Sequence, residues 1–356
     1  VPLPATALLP IPMMPLLGIQ PVAEITVNYG NHLIFLFLGG FILAAGMQRW
    51  GLHRRIALSI VRAIGSTPSR IMLGFMLATA FLSMWISNTA TTVMMYAVGI
   101  SVIEFVASRI EDRKLVRNFG VGLMLAIAFS ASIGGVGTLI GTPPNALLAG
   151  LLSDSYGVEI GFLQWMLIGV PVVLVMLPVC FLLLSRVIFP MKGLDLRGVS
   201  AVIAEEHARL GRMDRGEITV ALVFGAAAFF WITRGFLGLP INDAGIAMAA
   251  ALLLFAIPLG RKEGFVLDWS VARSLPWGVL MLFGGGLALA GAFNATGLAE
   301  WIGEQVAGLQ GVNLWLLILI VATVIVYLTE ITSNTASTAT FLPILGAVAV
   351  GLGVAP

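Results

Sequence analysis

Long apolar runs, interrupted at a few short polar clusters, set the pattern of this chain. Uninterrupted runs cover about Asn31–Met47, Asn118–Ser132, Gly161–Leu184, Ile218–Ile232, Asn242–Leu259 and Trp277–Phe293, and a shorter proline-rich one covers Ala5–Gly18. A bilayer asks for roughly 20 residues of helix or about ten alternating residues of barrel strand, and these runs do not alternate. They predict membrane helices. Two longer runs, Ile71–Ala107 and Leu314–Val350, each carry Ser-Asn-Thr: as Ser87-Asn88-Thr89 within MWISNTATT, and as Ser333-Asn334-Thr335 within EITSNTAST. An unsatisfied polar group in hydrocarbon is costly, so each cluster has to line a cavity or meet a ligand. The expectation is that the two clusters face each other near mid-membrane and hold one anion with its coupling cations.

Charge placement assigns sides. Arg49, Arg54, Arg55, Arg62 and Arg70 precede the first Ser-Asn-Thr run, and the stretch they span reads as an amphipathic interfacial helix. Arg109, Arg113, Lys114 and Arg117 follow that run. Basic residues mark the cytoplasmic side. Both ends of Ile71–Ala107 therefore lie inside, which predicts a re-entrant hairpin with Ser87-Asn88-Thr89 at its tip. Arg186–Glu217 reads as a cytoplasmic connector, and Arg261 with Lys262 closes a later span on the same side. Loops carrying Glu24, Asp154 with Glu159, and Glu300 with Glu304 lack basic residues and fall outside.

The span from Asn118 is expected to break at GGVGTLIGTPPN, Gly134–Asn145, because its glycines and paired prolines cannot continue a regular helix; a short helix from Ala146 would complete the crossing. The chain also repeats internally. Moving 246 positions on from Gly39-Gly40, Gly51-Leu52, Ser87-Asn88-Thr89 and Thr92 reaches Gly285-Gly286, Gly297-Leu298, Ser333-Asn334-Thr335 and Thr338. The basic stretch Arg49–Arg70 has an acidic counterpart, so the copies are expected to be inverted, as in secondary transporters. On the same offset the partner of the Gly134–Asn145 break would begin near position 380, beyond this sequence; the chain also opens at Val1 already in an apolar segment and stops soon after another, so both ends read as cut from a longer chain.

Composition agrees with this pattern and excludes several classes. Of the 356 residues 59% are hydrophobic and 10% charged, far below the roughly one quarter usual in soluble domains. Compact loops point to a bacterial inner membrane. The single cysteine, Cys180, excludes an internal disulfide. No basic stripe with aromatics suggests nucleic acid. His32, His53 and His207 are scattered, and no apolar run sets a histidine beside a nucleophile, so neither a metal site nor an intramembrane enzyme is expected. Paired polar clusters suit occlusion of a ligand better than an open pore.

Sodium takes hard oxygen ligands, which hydroxyls, amides and the freed carbonyls of broken helices supply, while half-helix N-termini favour an anion. Ser83 and Ser87 are four apart and would share a face if that arm is helical; Thr329 and Ser333 repeat the spacing. Asn88 and Asn334 each offer an acceptor and two donors. A lone Ser or Thr in a membrane helix more often bonds back to its own backbone, and it is the repetition of the cluster that sets these apart. Glu330 is an alternative proton site or a partner within its own hairpin. No Lys or Arg accompanies either cluster, so cations and helix dipoles are the available countercharge for a dianion.

On the two Ser-Asn-Thr motifs and GTPPN, Gly141–Asn145, the chain resembles the divalent anion/sodium symporters of the ion transporter superfamily over nearly its whole length. The resemblance implies an all-α, polytopic, homodimeric elevator transporter of inverted repeats, with two re-entrant hairpins and broken helices. It implies sodium-coupled symport of succinate-like di- or tricarboxylates, with proton coupling, exchange or sulfate transport as alternatives, and no cofactor beyond sodium. One sodium site would use Ser83, Ser87, Asn88 and backbone around Gly141, and the other Thr329, Thr332 and Asn334. Substrate carboxylates would meet Ser87, Asn88, Thr89, Ser333, Asn334 and Thr335, with Thr142 and Pro143 nearby. Scaffold and interfacial helices are expected over 1–64 and 218–312, transport segments over 65–153 and 313–356, and a span with its connector over 154–217.

Overall fold

Backbone bonding turns the apolar runs into helices whose ends are set by proline, glycine and short polar caps. The computed structural model describes residues 2–65, 67–191, 198–260, 264–307 and 313–355. The proline-rich start forms short helices α1 (Leu3–Thr6) and α2 (Pro10–Leu16), followed by α3 (Val22–Val27), α4 (His32–Arg49) and α5 (Leu52–Ile64). Then come α6 (Pro68–Ser83), α7 (Asn88–Ala107), α8 (Arg113–Gly135), α9 (Pro143–Tyr156) and α10 (Phe162–Leu182), the last running on as a π-helical turn at Leu183–Ile188. The connector contains α11 (Val199–Arg209), and α12 (Arg215–Leu237) and α13 (Asp243–Ala256) follow. A small hairpin, β1 (Pro258–Gly260) with β2 (Gly264–Phe265), precedes α14 (Trp269–Arg273), α15 (Trp277–Ala295), α16 (Leu298–Ala307), α17 (Leu314–Thr329) and α18 (Asn334–Gly351).

Seven described stretches are long and apolar enough to cross a membrane: Val22–Arg49, Asn88–Ala107, Arg113–Gly135, Phe162–Ile188, Arg215–Leu237, Trp277–Ala295 and Asn334–Gly351. This is an integral, multi-pass membrane protein.

Two expectations need correction. The run at Asn242–Leu259 stops being helical at Ala256, because Pro258 pushes Ile257 to extended angles (φ −79°, ψ 117°); a two-stranded hairpin follows, so the chain is not purely α-helical. The helix expected from Ala146 begins at Pro143, since proline at the start of a helix lacks only an N–H that would have had no partner. The acidic stretch after Phe293 contains α16, and the connector Arg186–Glu217 contains α11. Arg261 and Lys262 lie outside the described residues.

Helix packing divides the chain into two compact units. One takes in Val1–Leu38, Pro143–Gly161 and Pro276–Pro356. In it α15 runs beside α1 and Tyr29, whose hydroxyl donates to Ala7 O at 2.5 Å. Glycines bring backbones close: Gly286 faces Ala339 of α18, Gly346 faces Tyr156 of α9, and Gly303 of α16 faces Gly351. An apolar cavity of about 530 Å³ between α2, α15 and α18 reaches Ala336 and Thr340, and no charged residue lines it among the described residues.

The other unit comprises Gly39–Thr142 and Phe162–Leu275. Helices α6 and α7 fold back on each other, with Phe75 beside Gly99, and both pack on α8. Amphipathic α5 buries Leu52, Ala57, Leu58 and Val61, and Gly74 of α6 seats on Val61. Its arginines turn to the connector: Arg54 pairs with Glu206 at 2.6 Å, and Arg55 pairs with Glu217 of α12 at 2.5 Å. Arg49 reaches Asp268 at 2.5 Å; bonds from Ser270 and from Arg49 hold that carboxyl down at about 2.

His53 of α5 binds Met47 O through Nδ1 at 3.0 Å, and burial lowers its pKa. A lowered folded pKa gives stability that is complete above the unfolded value, about 6.5, and is lost as pH falls through the folded one. The thermal midpoint of the detergent-solubilised protein is therefore expected to drop between pH 7.5 and 5.5, and His53→Gln to flatten that drop. An equal slope in the variant would clear His53 of responsibility.

Helix ends recur at the same 246-residue offset. Adding the offset to α6, Pro68–Ser83, gives the bounds of α17, Leu314–Thr329, and α7 and α18 start at the paired residues Asn88 and Asn334. Gly51 and Gly297, one residue before α5 and α16, both adopt φ +71°, a conformation that favours glycine.

Candidate functional site

The first Ser-Asn-Thr is a helix cap. After Ser83 the chain makes one tight turn, and Ser87 becomes extended (φ −53°, ψ 143°) with its Oγ accepting from Ala90 N at 3.4 Å. Serine is favoured at that position, and it leaves first-turn N–H groups of α7 aimed out of the tip. Ser87 and Thr89 are exposed at the tip, and Asn88 is half-buried. The reading that Ser83 and Ser87 share a helical face is corrected: one ends α6 and the other caps α7, so the turn lies between them.

Ser83 and Asn88 nevertheless meet. The buried Ser83 Oγ lies 2.7 Å from Asn88 Oδ1 and 2.7 Å from Ala131 O of α8. One hydroxyl proton serves one acceptor, so three hard oxygens converge with a single proton among them. Such a set suits a small hard cation. Asn88 Oδ1 occupies the place where a side chain on Gly135 would begin, and Gly141 is pressed in the same way against Gly135 O. Gly135 and Gly141 are thus glycines because larger residues would push Asn88 and the broken segment away.

That segment, 136–142, runs between α8 and α9 as turns instead of regular helix, with Gly141 N donating to Thr138 O at 3.3 Å. It is tied to the tip by buried Thr138, whose Oγ1 donates to Met84 O. From α10, Trp165 Nε1 donates to Val136 O at 2.9 Å. Thr142 and Pro143 are half-buried at its end. Ala131, Gly135 and Thr138 had no assigned role in the sequence. Only the glycine of the three stood out there, since a backbone carbonyl or a buried hydroxyl gives no pattern.

The second cluster repeats the cap and departs in its side chains. Ser333 Oγ accepts from Ala336 N at 3.4 Å, matching Ser87. Thr329 Oγ1 donates to Val326 O at 2.8 Å, back into its own helix α17. Thr332 Oγ1 lies 2.8 Å from Leu328 O and 2.7 Å from Ser337 Oγ. Ser333, Asn334 and Glu330 are exposed and Thr335 is half-buried. Thr329 and Ser333 are separated by a turn, as their counterparts are, which corrects the shared-face reading here too.

Comparison with known proteins places these features in a family. The model for the sodium:sulfate symporter transmembrane region matches residues 1–356. The chain belongs to that family. Its relatives include proteins named sodium-dependent dicarboxylate transporter SdcS. The one from Staphylococcus saprophyticus is 44% identical over 368 residues, covering 100% of this chain and 71% of the relative. The one from Staphylococcus aureus strain USA300 is 43% identical over 367 residues with the same coverage. Family and relatives are transporters and not enzymes, so the polar groups at the tips are to be read as binding groups.

Proposed function

We propose that the protein is a secondary transporter that couples inward movement of sodium to uptake of a C4 dicarboxylate such as succinate. The observation that carries this reading is the convergence of Ser83 Oγ, Asn88 Oδ1 and Ala131 O at a capped helix start, in a run with no Lys or Arg. A dianion there needs countercharge, and bound sodium supplies it together with the N–H groups at the start of α7. Sodium ligands are assigned to Ser83, Ser87, Asn88 and Gly141 in one unit and to Thr329, Thr332 and Asn334 in the other. Ser87, Asn88, Thr89, Thr142, Pro143, Ser333, Asn334 and Thr335 are assigned to substrate.

The choice of dicarboxylate over sulfate is supported by the names of relatives at 43–44% identity, while the family description keeps sulfate as the second reading. Recurrence of helix ends at one offset supports a repeat, and the opposite charge of the paired α5 and α16 stretches supports an inverted one. Re-entrant hairpins at α6–α7 and α17–α18, a homodimer working by an elevator motion, and a bacterial cytoplasmic membrane complete the proposal.

Purified protein in vesicles tests it. Succinate uptake is expected with an inward sodium gradient and not with potassium or a pH gradient alone. Uptake driven by pH without sodium, and abolished by Glu330→Gln, would instead establish proton coupling. Uptake of sulfate but not of succinate would overturn the substrate assignment.

A further inference from the structure

The first tip is braced from behind by a column of aromatic rings, and we propose that this column positions Ser87-Asn88-Thr89 and so sets how tightly the site holds sodium. The sodium half of the proposal rests on the transport reading; the bracing does not. Trp85, two residues before the capping serine, is buried and stacks on Phe162 at the start of α10, with centroids 6.0 Å apart and planes at 21°. Phe162 stacks on buried Trp231 of α12 at 4.7 Å and 14°. Phe224, also on α12, meets Trp85 edge-on at 5.1 Å.

The far end of the column is fixed by polar bonds. Buried Asp243 accepts the Phe162 N–H through Oδ2 at 2.8 Å, accepts Trp231 Nε1 through its carbonyl at 3.0 Å, and pairs with Arg234. One residue thus orients both outer rings. The near end has no such bond, for the indole N–H of Trp85 is buried with no hydrogen-bond partner among the described residues. An orphaned N–H is costly. Phenylalanine would avoid that cost, so the larger ring is kept in spite of it, and the indole is held by its ring contacts while the Trp85 backbone N–H donates to Leu82 O at 3.0 Å. Its backbone neighbour Met84 accepts from Thr138, so a shift of Trp85 moves the tip against the broken segment that carries Gly141.

Plain core packing would have different consequences. It would lower stability everywhere and leave sodium dependence unchanged, whereas a brace controls tip geometry specifically. An aromatic pair is worth roughly a two- to tenfold change in an equilibrium. In Cys180→Ser protein with Thr89→Cys at the exposed tip, labelling by a water-soluble maleimide is expected to accelerate about threefold or more in Phe162→Leu or Trp231→Leu, on the same scale. Trp231→Phe, which keeps a ring, is expected to restore the slow rate. Ser108→Cys, at the other end of α7, is expected to label at one rate throughout.

With Thr89 intact, the sodium concentration for half-maximal succinate uptake is expected to rise roughly two- to tenfold in the leucine variants. Should Trp231→Leu not fold, Phe162→Leu, one ring nearer the tip, carries the same expectation. Unchanged Thr89→Cys labelling in folded leucine variants, or equal acceleration at Ser108→Cys, overturns the brace. Unshifted sodium dependence overturns its link to affinity. Absence of sodium-dependent uptake in the unaltered protein overturns the transport reading instead, and labelling still decides the brace.

Discussion

Sodium-driven succinate uptake is expected to fall at least about a hundredfold when Asn88 becomes alanine, with thermal unfolding little changed. The amide sits where Ser83 Oγ and Ala131 O already meet, so its loss removes one of three converging oxygens and the donors opposite it. A hydrogen bond to a charged group contributes about 1.5–3 kcal/mol, and each 1.4 kcal/mol is roughly tenfold in affinity. Losing one bond to the cation and one to the carboxylate therefore gives about two orders of magnitude or more. Stability is spared because Ser83 keeps Ala131 O as its partner and Ser87 still caps α7.

Gly135→Ala provides the matching test from the other side. Its methyl group would overlap Asn88 Oδ1 and displace the amide without removing it. Uptake is expected to fall in this variant as well, with partial recovery at high sodium concentration, which Asn88→Ala cannot show. Radiolabelled succinate uptake against external sodium measures both. Sodium-dependent uptake at the unaltered level in Asn88→Ala would remove Asn88 from the site.

These two residues also mark what could be read from the sequence and what could not. The break of each long run at its Ser-Asn-Thr was legible, because a small polar cluster interrupts an apolar helix and the cap that restarts it is local chemistry. The bounds of α6 and α17 recur at the 246-residue offset at which the polar clusters recur in the sequence. Spacing within a broken arm misled, since four residues mean one helical face only where the helix continues, and here α6 ends at Ser83. Paired prolines were read as part of the break when they begin α9. Contacts between distant segments gave no pattern. Ala131 O, Thr138 and the rings from Trp85 to Trp231 are brought together by packing, and an aromatic residue in an apolar run looks like any other.

The same limit applies to the connector, where the largest stability effect is expected. Its charge was visible, but not that Arg55 would be drawn into a buried bidentate pair. Arg55 Nε lies 2.5 Å and Nη2 2.9 Å from the two oxygens of Glu217, and Nη1 donates to Gly211 O at 3.0 Å. The Glu217 side chain is 5% exposed and that of Arg55 16%. Removing one member of a buried pair strands the other charge, at a cost of about 3–5 kcal/mol. Arg55→Ala is therefore expected to lower the thermal midpoint in detergent by several degrees or more, loosening α5 from the start of α12. Arg55→Lys is expected to recover little, because a lysine cannot make the forked contact. Replacing both residues, Arg55→Met with Glu217→Met, is expected to recover most of the loss, since two apolar side chains leave no stranded charge. A double variant as unstable as Arg55→Ala would mean that the carbonyl contacts at Leu210 and Gly211, and not the ion pair, are what fasten the connector to α5.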